Sequence, residues 1–170
     1  MIRGRIFAVL FGAIFSIILV YCVVPSAIEA AMLVVASNGI DNGTCGGMNT
    51  PCRSINQAIG NAFDGDRIVV GPGTYGPATE GVGGPGGCVC MIHVAKSLTI
   101  ESRDGADVTM LDVAGADVFG VLIEANGVAF GKKNKGFTIA NSRRYGLILG
   151  GSTSNIDVRG KRGHWQWVQR

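Results

Sequence analysis

From residue 89 to residue 158 the sequence is a succession of short apolar runs, 89–94, 97–101, 108–113, 118–124, 136–140, 146–149 and 155–158, each cut off by Gly, Asn, Asp or Ser. Runs of about four to seven residues have the length of strands, and no helical i, i+3, i+4 pattern separates them. The 27 glycines are too many for a mostly helical chain, and with only 5 prolines and no three-residue period they exclude collagen. Hydrophobic residues make up 47% and charged residues 16%, which excludes a disordered chain. A length of 170 residues holds one domain after a leader and excludes a multi-domain enzyme. A sandwich, a barrel and a β-solenoid remain.

Internal echoes favour the solenoid. Gly120-Val121-Leu122-Ile123 returns 26 positions later as Gly146-Leu147-Ile148-Leu149. Gly136-Phe137-Thr138-Ile139 is echoed by Asn155-Ile156-Asp157-Val158 after 19. In stacked coils, inward Val, Ile, Leu and Phe make a continuous core while Gly and Asn take the corners. Upstream, 33–36 and 67–70 read as strands, 37–51 and 71–75 as turns, and 79–87 as a Gly/Pro loop. The one helix predicted outside the leader covers 54–63: Ser54 suits its cap, and Ile55, Ala58, Ile59 and Ala62 form one apolar stripe. Laid over the first coil, that stripe would hide the open end of the core.

Several segments carry a resemblance: 37–45 (SNGIDNGTC), 51–55 (PCRSI), Ala58-Ile59, 65–70 (GDRIVV), Gly73-Thr74-Tyr75 and 136–142 (GFTIANS). Together they are similar to the secreted right-handed parallel β-helix proteins of the pectin-lyase-like superfamily. The resemblance implies an all-β chain, a right-handed parallel β-helix of about five coils at roughly 20 to 26 residues each, with an N-terminal capping helix. The expected organisation is a signal peptide or membrane anchor at 1–30, the β-helix with its cap at 31–160, and an atypical tail at 161–170. Members of the superfamily have more coils and place catalytic groups on middle ones, so this chain reads as a short member or an N-terminal part.

Arg3 and Arg5, the apolar run 6–24 and the small residues that follow form an export signal, with cleavage after Ala30 or Ala31 and an uncleaved anchor as the alternative. The expected location is secreted or extracytoplasmic, with membrane contact only through 6–24. Four cysteines follow the leader: Cys45 and Cys52 flank a segment able to fold back and are the favoured disulfide. Cys88 and Cys90 stay open, because two residues in one extended strand need a local kink to bond.

The formal charge of +3 divides unevenly: 31–131 holds four Lys/Arg against ten Asp/Glu, and 132–170 nine against one. A basic stretch beside an acidic body suits polyanions such as uronate polysaccharide. Arg143, Arg144, Lys132 and Lys133 are the ligand-binding candidates, with Lys135 in the same turn. Asp104, Asp107, Asp112 and Asp117 match no calcium-loop spacing and read as turn-capping groups, and His93 reads as a strand residue rather than a base. The expectation is an exported module that binds or displays carbohydrate, without catalysis, and that takes no nucleic acid, cofactor or metal. The alternative, implied by the resemblance, is the N-terminal part of a polysaccharide lyase or glycoside hydrolase acting on acidic polysaccharide. Only that alternative calls for calcium.

Overall fold

The computed structural model describes residues 29–83, 87–150 and 153–158. The apolar run 6–24 and the tail 161–170 lie outside the described residues. Eleven strands are present among them: β1 (Met32–Val35), β2 (Arg67–Val70), β3 (Gly73–Tyr75), β4 (Cys90–Val94), β5 (Thr99–Ser102), β6 (Thr109–Asp112), β7 (Phe119–Ile123), β8 (Ala129–Phe130), β9 (Thr138–Ala140), β10 (Leu147–Leu149) and β11 (Asp157–Val158). Two short helices interrupt them, α1 (Ile55–Asn61) and α2 (Pro77–Glu80). The protein is predominantly β.

Three parallel sheets receive the strands in rotation. The first runs β1-β2-β5-β8-β11, the second β3-β6-β9 and the third β4-β7-β10. From β2 onward every strand pairs in parallel with the one three strands later. The sequence echo at 26 is a true register, since Val121, Leu122 and Ile123 pair with Leu147, Ile148 and Leu149.

The echo at 19 is not a register. β9 pairs with β6 in the second sheet, whereas Asp157 and Val158 pair with Ala129 and Phe130 in the first. The two segments look alike because each sets a short apolar run beside an Asn in the left-handed region, Asn141 after one and Asn155 before the other. Nor is a repeat of 20 to 26 residues general. The pairs Arg67–Thr99, Thr99–Ala129 and Ala129–Asp157 step by 32, 30 and 28. Corner loops supply the excess. β3 appears where the sequence reads as a turn, α2 runs into the Gly/Pro loop, and β8 lies where no strand is expected, each being too short to carry a period of its own.

Inward side chains stack in register. Leu33, Ile68, Ile100 and Phe130 form one column, Tyr75, Leu111 and Ile139 a second, and Ile92, Val121 and Leu147 a third; all are buried and belong to one core cluster. Each strand added to a sheet extends its column by one more buried apolar side chain, removed from water at about 25 cal/mol per Å².

α1 follows the sequence expectation closely. Ser54 is its N-cap, accepting from the Gln57 N–H at 3.1 Å, and Ile55, Ala58 and Ile59 are buried against β1, β2 and β4. Its ends are held by residues far along the chain. The Glu80 carboxylate accepts from the N–H groups of Ile55 and Asn56, both at 2.9 Å. At the other end Lys96 Nζ donates to the carbonyls of Ile59, Gly60 and Ala62 at 2.8, 2.9 and 2.6 Å. Asn56 joins the helix to the free side of β4, its Nδ2 donating to Met91 O at 2.7 Å and its Oδ1 accepting from His93 N at 3.4 Å. An edge that would offer unpaired backbone groups is thereby covered. Replacing Lys96 with Met keeps the stem and deletes the charge-assisted bonds. A loss of about 1–3 kcal/mol is expected, read as a lower denaturant midpoint; an unchanged midpoint would mean that water serves those carbonyls equally well.

The Cys45–Cys52 disulfide is present, with Cα atoms 4.9 Å apart and both residues buried; Cys52 pairs edge-on with Val35 of β1, and Asn61 of α1 donates to the Cys45 carbonyl. Disulfides persist in oxidising compartments, so this bridge fits an extracytoplasmic setting. Among the described residues no helix is long and apolar enough to cross a membrane.

Candidate functional site

The turn between β9 and β10 gathers the groups best placed to meet a ligand. Asn141 turns the chain with a φ of 56° and donates from Nδ2 to Asp112 Oδ1 at 2.8 Å. Ser142 then ties the turn down, its hydroxyl lying 3.2 Å from Val118 O and 3.1 Å from Tyr145 O. Gly120 permits the close approach, because a Cβ there would collide with the Gly146 carbonyl. On this base Phe119 and Tyr145 stack, with ring centroids 6.1 Å apart and planes 18° from parallel.

Arg144 completes the platform. Its guanidinium sits 5.5 Å above the Phe119 ring and grips Asp117 with two bonds, Nε to Oδ1 at 2.9 Å and Nη2 to Oδ2 at 3.1 Å. That grip holds the Asp117 carboxyl below the usual carboxylate range, and the Arg143 charge adds to it. Reciprocally, Asp117 raises Arg144 above its ordinary value. Both partners are exposed, so the pair itself contributes little stability and stays open to exchange with an incoming anion. Phe119 and Tyr145 are half-buried, so part of each ring stays open to solvent.

The sequence candidates therefore separate. Arg143 and Arg144 stand together on this platform, whereas Lys132 and Lys133 occupy an exposed turn before β9. That turn is closed by backbone bonds between Lys132 and Lys135 and by Asn134 with a φ of 63°. Lys135 is committed elsewhere: its Nζ lies 3.5 Å from the buried Glu101 carboxylate, which also pairs with Arg67. Burial works to raise the Glu101 carboxyl, but the bond and charge from Arg67, with Lys135, hold it below the usual range. Phe119 and Asp117 are not legible as partners of Arg144, because 25 and 27 residues separate them from it and Phe119 looks like an ordinary strand residue; Tyr145 is adjacent to Arg144, but nothing local marks its stack with Phe119. The only local signal was the Arg143-Arg144-Tyr145 run beside a corner Asn.

No family model, curated protein or solved structure matches this chain.

A cleft of about 500 Å³ between α1, α2 and β4 is the competing location. Its polar lining is already engaged: Glu80 and Lys96 hold the ends of α1, and Asn56 holds β4. His93 lies on its wall with Nε2 2.6 Å from Glu124 Oε2, an exposed carboxylate. The cleft is chiefly the capping apparatus seen from outside.

The aspartates named from the sequence are dispersed. Asp112 caps Ala114 N and meets Asn141, Asp117 meets Arg144 and Asp104 meets Arg103. Among the described residues the only compact group of metal-ligating types is Asp41, Cys45 and Cys52, and its two sulfurs are bonded to each other.

Proposed function

We propose that this chain is an exported right-handed parallel β-helix module that binds acidic carbohydrate on the Phe119–Tyr145–Arg144 platform. Rotation of strands among three parallel sheets supports the coil, and its hand follows from the near-universal right-handedness of parallel crossovers. The Cys45–Cys52 bridge supports export. A single observation carries the binding reading: two stacked, part-exposed rings lie beside an arginine whose present partner is an exposed carboxylate. Sugar rings present an apolar face to aromatics and a uronate carboxylate to a guanidinium fork, and Asp117 now occupies the place such a carboxylate would take. Arg143 adds charge at the same rim.

Affinity electrophoresis of the purified protein through gels containing polygalacturonate tests the reading. Retardation is expected, weakened about tenfold or more in Arg143→Ala/Arg144→Ala and in Tyr145→Ala, which corresponds to the roughly 1.4 kcal/mol of one good charge-assisted contact. Unretarded migration of the wild type, or equal retardation of the variants, would discard this surface. Unsaturated-product absorbance in a parallel assay with calcium would replace binding by elimination.

A further inference from the structure

Two disulfides lie among the described residues, and they differ in the properties that govern exchange with thiols. Cys45 and Cys52 are seven positions apart, both buried, with Asn61 Nδ2 3.4 Å from the Cys45 sulfur. Cys88 and Cys90 are two positions apart, joined as a pair with Cα atoms 5.3 Å apart. Cys88 precedes β4, outside the strand, which supplies the kink that two residues of one extended segment would lack. It is part-exposed, whereas Cys90 opens β4 and is fully buried, in register with Phe119. Val89, the residue between the two cysteines, is itself exposed.

A fold protects a disulfide to the extent that folding brings its sulfurs closer than the unfolded chain does. For a ring of three residues the unfolded chain already holds them near each other, so folding adds less protection than for the longer Cys45–Cys52 ring. Exposed disulfides are also the ones that external thiolates reach.

We propose that Cys88–Cys90 is a thiol–disulfide exchange site that accepts two electrons from low-molecular-weight thiols, with Cys88 as the attacked sulfur. A thiolate attacks Cys88 Sγ, the Cys88–Cys90 bond breaks, and Cys90 leaves as a thiolate that takes up a proton. A second thiolate attacks the external sulfur of the mixed disulfide, releasing the Cys88 thiol and an external disulfide. Two thiols are oxidised and one protein disulfide is reduced. Cys90 lies on the strand beside Phe119, but the exchange step uses no group of the aromatic platform, so the proposal stands apart from the carbohydrate reading.

The test equilibrates the full chain, purified in air, in glutathione buffers of graded reduced-to-oxidised ratio, followed by alkylation and peptide mass spectrometry. Cys88–Cys90 is expected to become half-reduced at a ratio about tenfold or more milder than Cys45–Cys52 requires. In Cys90→Ser, Cys88 is expected to capture glutathione disulfide at least about tenfold faster than Cys90 does in Cys88→Ser, as its exposure demands. Coincident titration of the two pairs, equal capture rates, or free Cys88 and Cys90 thiols in the air-purified protein would each overturn the proposal. Carrying both measurements keeps it testable if one variant folds poorly.

Discussion

Replacing Phe130 with Ala is expected to cost about 3–5 kcal/mol of stability, the range for deleting a packed aromatic ring. Phe130 is fully buried on β8, in register with Ile100 on one side and Val158 on the other, and its ring centroid lies 4.9 Å from that of Phe137. Ile100 and Val158 lie on the two strands that flank β8 in the first sheet, so the cavity would open between paired strands, with Phe137 on a further wall. Backbone pairing above and below limits how far the walls can collapse. The control is Thr99→Ala, half-buried and the register partner of Ala129, the neighbour of Phe130, for which a change within about 0.5 kcal/mol is expected. Equilibrium urea unfolding measures both. A loss under about 1 kcal/mol for Phe130→Ala would show that the column is not packed as described.

Stability is expected to fall as pH rises from 5 to 8, and Glu80→Gln is expected to abolish the fall. Burial pushes the Glu80 carboxyl up from 4.5 to about 7, and the N–H bonds from Ile55 and Asn56 recover only part of that shift. Below 4.5 the group is protonated whether the chain is folded or not, and its contribution is fully present. Between 4.5 and 7 the folded protein retains a proton that the unfolded chain has released, so each rise in pH favours unfolding. The full span amounts to about 3 kcal/mol at roughly 1.4 kcal/mol per pH unit. Glu101 acts with the opposite sign: its lowered carboxyl contributes above the unfolded value and loses that contribution as pH falls below it. The two together place the maximum at mildly acidic pH. Denaturant midpoints measured every half unit check this, and a wild-type profile that is level from pH 5 to 8, or one whose slope survives in Glu80→Gln, would contradict it.

Much of the local structure is legible in the residues themselves. The Ser54 cap, the Ile55–Ala58–Ile59 stripe and the 67–70 strand appear where the pattern puts them, because each depends on contacts within a few positions. β7 and β10 were readable as equivalents, since the same Gly-apolar-apolar-apolar string recurs in both and their register matches the spacing. β8 was not, because two residues cannot display a period. The resemblance between β9 and β11 misled for a related reason: alternation reveals which side chains face inward but not which of three sheets receives them.

Sequence alone determined that the chain would be built from short strands turned at Gly and Asn, started under one capping helix, and bridged between Cys45 and Cys52. These follow from local dihedral preferences, side-chain alternation and the few residues between those cysteines. Tertiary structure alone decided that Glu80 would hold a helix 24 and 25 residues upstream, that Lys96 would close its other end, and that Arg144 would meet Asp117 and Phe119. Each pairing joins segments far apart in the chain, and the interval between register-paired strands changes along the first sheet, from 32 to 30 to 28 residues. The partner of a given side chain is therefore set by parallel register rather than by any interval written in the sequence.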